Sequence, residues 1–210
     1  MSGANLAESL EHYRKLAPRY DRRTQLIDNI RNETIAALDL RAGDFVLDAG
    51  CGTGWCLPKL AAAVCTNGHV FAFDPSPEML EIAAHRVSDS GFANVDLQCA
   101  TAEDYRAPVP FDAILLSYTH DILRSRTSLA NLMRLAKPGA RVAATSTKLY
   151  APWLAPANWY LRLSHRGYIT NFEGMDAPWS LMPEFLTDFR VRTSPFSQHY
   201  IATGRVRQDA

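Results

Sequence analysis

Val46-Leu47-Asp48-Ala49-Gly50-Cys51-Gly52-Thr53-Gly54 is the stretch whose reading decides the fold. The apolar run Phe45-Val46-Leu47 lies between the turn Arg41-Ala42-Gly43-Asp44 and three closely spaced glycines. A continuous apolar run bounded in this way fits a strand buried on both faces, as in a parallel sheet. Glycines directly after such a strand let the backbone turn tightly and let a ligand lie against it. The spacing is G-x-G-x-G, not the G-x-G-x-x-G of dinucleotide folds, so nothing here requires a phosphate. Asp74 ends the next expected strand, where a carboxylate can accept hydrogen bonds from both hydroxyls of a ribose. The plainer alternative makes the glycines a simple chain reversal and Asp74 the N-cap of the following helix. Turn and carboxylate in this register favour a ligand at the carboxyl ends of the strands.

Outward from this point, strands and helices alternate. A helix is expected from about Trp55 to Val64, then the strand His69–Asp74, then a helix from Pro77 carrying Leu80, Ala83 and Val87 on one face. Strands follow at Asn94–Cys99 and Phe111–Ser117. Leu129, Leu132, Met133 and Ala136 stripe a further helix, Lys137-Pro138-Gly139 stops it, and Arg141–Thr147 is a fifth strand. Upstream, residues 1–40 read as a helical cap, with Leu26, Ile27, Ile30, Ile35 and Leu38 near helical spacing and Pro18 dividing it. The C-terminus, through Phe189–Arg192 and Tyr200–Val206, reads as an antiparallel hairpin. The expectation is an α/β, doubly wound, Rossmann-like sheet of seven mostly parallel strands, with helices on both faces and an antiparallel C-terminal strand. Residues 1–210 form one domain. Residues 148–180, rich in Trp and Tyr, interrupt the rhythm as an insertion between the fifth strand and a last helix, placed to act as a lid.

Lys+Arg and Asp+Glu are both 22, so the chain of 210 residues has no basic excess with which to hold a nucleic-acid backbone. No apolar run reaches the roughly 20 residues that span a bilayer, and the N-terminus lacks a signal-like apolar core, so a cytoplasmic location is expected. Cys51, Cys56, Cys65 and Cys99 form no C-x-x-C pair or zinc-like cluster, and no metal is expected.

Val46–Gly54 resembles motif I of the class I S-adenosylmethionine-dependent methyltransferases. Asp74-Pro75-Ser76-Pro77-Glu78-Met79-Leu80 is similar to their second motif, and Leu135-Ala136-Lys137-Pro138-Gly139-Ala140 to the turn before their fifth strand. The resemblance covers roughly Tyr13 to Thr147, within a group of small bacterial small-molecule methyltransferases. It implies S-adenosyl-L-methionine as cofactor. Gly50, Gly52 and Gly54 would form the loop under it, with Asp48 supporting the methionine amino end. Asp74 would take the ribose hydroxyls, and Pro75 and Met79 would pack on the adenine. Ala102 and Glu103 match the loop at the adenine edge, where Thr101 replaces the family's usual acidic residue. Ser117 matches the position facing the methionine moiety. Tyr13 and Tyr20 resemble an N-terminal segment that closes over the cofactor in related enzymes, and they also suit plain packing of helix on sheet.

Methyl transfer from a sulfonium is an in-line displacement that depends chiefly on positioning in a water-poor pocket. Ser117-Tyr118-Thr119-His120-Asp121 follows the fourth strand, near the reacting carbon. His120 suits a base for a hydroxyl or amine acceptor, or a structural histidine bonded to the loop or to Asp121. Tyr118 matches the aromatic of the N-P-P-Y motif without the rest of it, which disfavours a nucleobase amine. Trp153, Trp159, Tyr168 and Trp179 of the insertion are expected to wall a pocket for a small apolar or aromatic acceptor methylated at O or N. The same aromatics also suit lid core, a homodimer surface or peripheral membrane contact, without stable insertion. Two rivals remain: a nicotinamide oxidoreductase, disfavoured by the glycine spacing, and a protein that binds the same cofactor without methylating.

Overall fold

In the computed structural model, Asp21 and residues 24–164 and 172–208 are described. Their elements run α1 (Asp28–Ala37), β1 (Phe45–Ala49), α2 (Leu57–Val64), β2 (His69–Asp74), α3 (Pro77–Ser90), β3 (Val95–Cys99) and β4 (Phe111–Ser117). Then come α4 (His120–Leu123), α5 (Arg126–Arg134), β5 (Ala136–Thr147), α6 (Ala155–Ser164), β6 (Leu186–Thr193) and β7 (His199–Val206). One seven-stranded sheet has the order β3-β2-β1-β4-β5-β7-β6. β1 to β5 pair in parallel, and β7 runs antiparallel to both β5 and β6. The strand order reverses between β1 and β4, where a doubly wound sheet opens its ligand crevice.

Strand alternation splits the core into two layers. Leu47, Phe71, Phe73, Ile114, Leu116 and Val142 enter one layer, against Leu129, Leu132 and Met133 of α5. Val46, Val70, Ala72, Ala113, Leu115 and Ala143 enter the other, against Leu57, Leu60 and Val64 of α2 and Ala83 of α3. Both faces of the central strands are therefore covered, which explains their unbroken apolar runs. The same alternation puts Asp48 on the α1–α2 side, since it follows Val46 by two residues.

Two expectations need correction, and one alternative falls away. Strand β5 starts at Ala136, because Lys137-Pro138-Gly139 is a bulge that shifts the register between Phe111 and Ala113, not a separate stop. The insertion contains the 3-10 turn Pro152–Leu154 and the helix α6 itself, and from residue 172 to β6 there is only the 3-10 turn Met182–Glu184 instead of a last helix. The cap of α3 is Ser76, whose hydroxyl accepts from Met79 N, so Asp74 is released from that role.

Candidate functional site

The glycine loop is held open by its own geometry. Gly50 and Gly54 both have φ of 72°. A Cβ on Gly50 would meet Thr119 Cγ2 at 2.6 Å, and one on Gly54 would meet Leu57 Cδ1 at 2.8 Å and Ala83 Cβ at 2.9 Å. Both positions thus require glycine for conformation and for close approach. Gly52, with φ of 54°, shares the conformation without the crowding: a Cβ would meet nothing within 4 Å, so this backbone borders open space. Gly52 N donates to Asp74 Oδ2 at 2.9 Å, and Ser76 N donates to Asp74 Oδ1 at 2.9 Å. The Asp74 carboxylate thereby ties the end of β2 to the loop after β1, and each oxygen keeps a lone pair for a ligand. Burial pushes its pKa up, opposed by these two donors.

A cavity of about 460 Å³ opens above this loop, a volume suited to a small-molecule ligand. Of the anticipated cofactor residues, Asp48, Gly50, Gly52, Asp74, Pro75 and Met79 line it, as do Thr101, Ala102, Glu103 and Ser117. Gly54 does not. It lies under the loop, where its missing side chain lets α2 and α3 approach. Tyr13, Tyr20 and Tyr168 lie outside the described residues. The segment next to Tyr20 does reach the site, since Thr53 Oγ1 donates to Asp21 Oδ1 at 2.6 Å.

Buried polar atoms without a hydrogen-bond partner gather at this cavity. Asp48 Oδ2, Ser117 Oγ and Thr119 Oγ1 are all buried and unpaired among the described residues, and all three residues line it. Such orphans are costly unless a ligand or water satisfies them. Burial raises the Asp48 pKa to about 7, with Arg31 lowering it and Asp74 raising it. Arg31 itself is a buried cavity residue that sequence reasoning missed. Its Nη1 donates to Asp28 Oδ1 and Thr24 Oγ1, and its guanidinium lies 5.2 Å from the Trp55 ring centroid and 5.6 Å from that of Tyr118. The helical position of Arg31 beside Asp28 gave no hint of this, because such a pair reads as an ordinary i,i+3 surface contact.

The anticipated catalytic pair also lines the cavity. Tyr118 has φ of 61°, a conformation rare for a bulky residue and often found where a site holds a side chain in place. Its N–H donates to Thr145 O at 2.8 Å, and its hydroxyl is 3.1 Å from His199 Nδ1. His120 opens α4, nearly buried, with Nε2 3.5 Å from Asp121 Oδ1. Burial lowers its pKa, Asp121 opposes this, and Arg124 adds to it. The imidazole is therefore neutral near pH 7 and able to accept a proton. At the other end, Asn131 Nδ2 donates to Ala102 O at 2.7 Å and holds the Thr101–Glu103 loop. Asp104, paired with Thr101 Oγ1, joins Glu103 in presenting a carboxylate to the lining. This answers in part for the acidic residue that Thr101 displaces.

The insertion departs from expectation. Of the four tryptophans in the chain, Trp55 lines the cavity, and Trp153, Trp159 and Trp179 do not. Trp179 packs against Tyr200 with ring centroids 4.5 Å apart, at the edge of one core layer. Trp153 and Trp159 are exposed. The assignment of these three to the pocket wall is therefore corrected: one is packing and two face outward. Among the described residues no helix is long and apolar enough to cross a membrane, and no group of three or more His, Cys, Asp or Glu is arranged for a metal.

Residues 46–139 match the family model described as a methyltransferase domain. A demethylmenaquinone methyltransferase of Symbiobacterium thermophilum is 31% identical over 139 residues, 62% of this chain and 55% of that protein. One from Listeria monocytogenes serotype 4a is 28% identical over 159 residues, 71% of this chain and 67% of that one. The chain thus spans little more than half the length of the first relative it matches. Among solved structures, a SAM dependent methyltransferase from Aquifex aeolicus aligns with a TM-score of 0.60 at 23% identity, covering 94% of this chain and 98% of that one. The N-methyltransferase NodS from Bradyrhizobium japonicum WM9, in complex with S-adenosyl-l-homocysteine, aligns with a TM-score of 0.59 at 18% identity, covering 84% and 86%. These two likenesses establish a shared fold.

Proposed function

We propose that this chain, which carries a class I S-adenosylmethionine-dependent methyltransferase domain, transfers the cofactor's methyl group to a small molecule held beside Tyr118 and His120. The observation that carries this reading is the buried Asp48 carboxyl beside the glycine loop, whose Oδ2 has no hydrogen-bond partner among the described residues, with Arg31 lining the same cavity. A carboxylate and a cation side by side fit the α-amino and α-carboxylate groups of a methionine end. Asp74, two lone pairs still free, fits a ribose diol. Met79 and Phe73 supply apolar walls, and Glu103 and Asp104 supply acceptors toward an adenine edge.

When bound, the cofactor supplies an electrophilic methyl on a sulfonium. The residues of this chain then bind, orient and exclude water. Tyr118, held by its backbone bond to Thr145 and its hydroxyl contact to His199, would fix the acceptor's ring or chain. Neutral His120 would take the proton of a hydroxyl or amine acceptor at Nδ1 or Nε2. The acceptor side is walled by Trp55, Tyr118 and Ile122, which favours an apolar or aromatic body methylated at O or N. The relatives are named for demethylmenaquinone, whose ring is an aromatic body of this kind and carries hydroxyl groups in its reduced, quinol form. A cytoplasmic setting fits this reading.

The test is product analysis with S-adenosylmethionine and a panel of phenols, amines and short-chain quinols. A methylated acceptor with stoichiometric S-adenosylhomocysteine supports the proposal. Release of methylthioadenosine, or cofactor binding with no turnover of any acceptor, would move the protein to the non-methylating alternatives.

A further inference from the structure

A second cavity, of about 220 Å³, lies at the opposite rim of the sheet. Its lining comes from the turn before β1 (Arg41 and Asp44), the start of β4 (Asp112), the β5 bulge (Lys137 to Arg141) and the end of β7 (Arg205). These are the amino ends of the parallel strands. Strand β4, seven residues long, puts roughly 20 Å between this place and the cavity above the glycine loop. The volume falls below that of ordinary ligand pockets and suits one small group.

The charges of the lining do not cancel. Arg41, Lys137, Arg141 and Arg205 meet two carboxylates, Asp44 and Asp112, which leaves an excess of two positive charges. Both carboxylates are already engaged. Asp44 Oδ2 accepts from Arg41 N and from Arg141 Nη2, each at 2.6 Å, and the Asp44–Arg141 pair is largely buried. Asp112 Oδ1 accepts from Lys137 Nζ at 2.6 Å, and its Oδ2 accepts from Phe45 N at 2.9 Å. The guanidiniums of Arg41 and Arg205 remain. Arg205 Nη1 donates to Gly139 O at 3.2 Å, and no carboxylate pairs with it among the described residues. Arg41 Nη2 is 3.8 Å from Asp39 Oδ2, but both side chains are exposed and Asp39 does not line the cavity. Such a pair holds a cation weakly. Gly139 borders open space here, since a Cβ would meet nothing within 4 Å. A phosphate group carries a charge of about −1.5 to −2 near neutral pH, which matches the excess, and a guanidinium fork bonds two of its oxygens at once. A nucleic-acid backbone would need an extended basic stripe, and the chain is balanced at 22 charges of each sign.

We propose that Arg41 and Arg205, set on the Asp44–Arg141 and Asp112–Lys137 pairs, form a second binding site that takes a phosphate group, free or as the ester of a small molecule. The site rests on no part of the methyl-transfer reading. The test is titration calorimetry of the full chain at pH 8 with inorganic phosphate and with phenyl phosphate, at ionic strength held constant with sodium chloride. One phosphate group should bind per chain, raise the melting temperature and bind less tightly as chloride is increased. Arg41→Ala and Arg205→Ala, both at exposed positions, should each weaken binding about tenfold. Both variants should keep the wild-type melting temperature without phosphate and the wild-type affinity for S-adenosylhomocysteine. Tighter binding of phenyl phosphate would support the site and identify an ester as its occupant, and equal or tighter binding of inorganic phosphate would support it and identify the free ion. No saturable binding of either compound overturns the proposal, as does unchanged binding in the double variant. Competition between phosphate and S-adenosylhomocysteine would also overturn it, by placing the anion in the larger cavity.

Discussion

The glycine loop and the aromatic insertion share the carboxyl rim of one sheet, yet they follow opposite rules. In the loop, each feature is forced by backbone geometry: glycine at φ of 72°, close approach to Thr119 and Ala83, and a carboxylate bound to two N–H groups. In the insertion, the same tryptophan serves as core packing at 179 and as open surface at 153 and 159. A motif that constrains the backbone can therefore be read from a sequence with its ligand side attached. A concentration of aromatics tells that apolar area must go somewhere, without the direction.

The largest effect that would break this contrast belongs to Asp74. Asp74→Ala removes two ribose bonds and should weaken S-adenosylhomocysteine binding by roughly 2–4 kcal/mol, as read by titration calorimetry. It also strands Gly52 N and Ser76 N. Denaturant unfolding should therefore show a loss of about 1–3 kcal/mol for each. The fold survives, but not at its original stability. An unchanged dissociation constant in the folded variant would reduce Asp74 to a fastener of the loop.

Asp48→Asn should act with opposite signs on stability and on binding. The folded carboxyl titrates near 7 because burial penalises its charge, against an ordinary value of 3.8. Between those values the folded state holds a proton that the unfolded state has released. Wild-type stability from this group is therefore full below about pH 4, falls as pH rises toward 7, and stays low above. The neutral asparagine avoids that loss and should raise ligand-free stability at pH 8 by on the order of 2–4 kcal/mol. The same change should weaken cofactor binding by about 1.5–3 kcal/mol through loss of a charge-assisted bond. Thermal melts across pH 4–8, paired with calorimetry, check both signs. A variant that is less stable at pH 8 would refute the strained-carboxylate account.

His120→Ala should lower kcat by about 10²-fold for acceptors that must lose a proton, and the defect should shrink at high pH where the acceptor ionises unaided. Because burial depresses its pKa, the base form persists into mildly acidic solution, and the acidic limb of the profile should fall below pH 6.5. An equal defect at every pH would make His120 structural.

The smallest effects sharpen the insertion's side of the contrast. Trp179→Ala should destabilise the protein by on the order of 2 kcal/mol, through lost packing on Tyr200, and leave cofactor affinity unchanged. Trp153→Ala and Trp159→Ala should alter neither stability nor cofactor affinity measurably, as expected for exposed positions. A rise in acceptor KM in either would restore the lid.

Legibility followed the same division. The alternation of apolar runs with helical stripes was enough for the seven-stranded order of layers and for the hairpin at the C-terminal edge. The G-x-G-x-G turn and Asp74 located the cavity because their chemistry is local to a strand end. The bulge at Lys137-Pro138-Gly139 was hidden, since the same residues also end helices. Arg31 was hidden for a different reason. It reaches the site from α1, which packs on β4, β5 and β7, and only the fold shows that it meets Asp48, Trp55 and Tyr118. Trp55, just past the last glycine, had the local signal of a helix start and nothing to mark it as the cavity's tryptophan.

Titration calorimetry of the full chain with S-adenosylmethionine, S-adenosylhomocysteine and NAD addresses the central claim most directly. The account predicts one-to-one binding of the first two, a raised melting temperature with either, and loss of both effects in Asp74→Ala. Tight binding of NAD with no binding of either sulfur compound would contradict it.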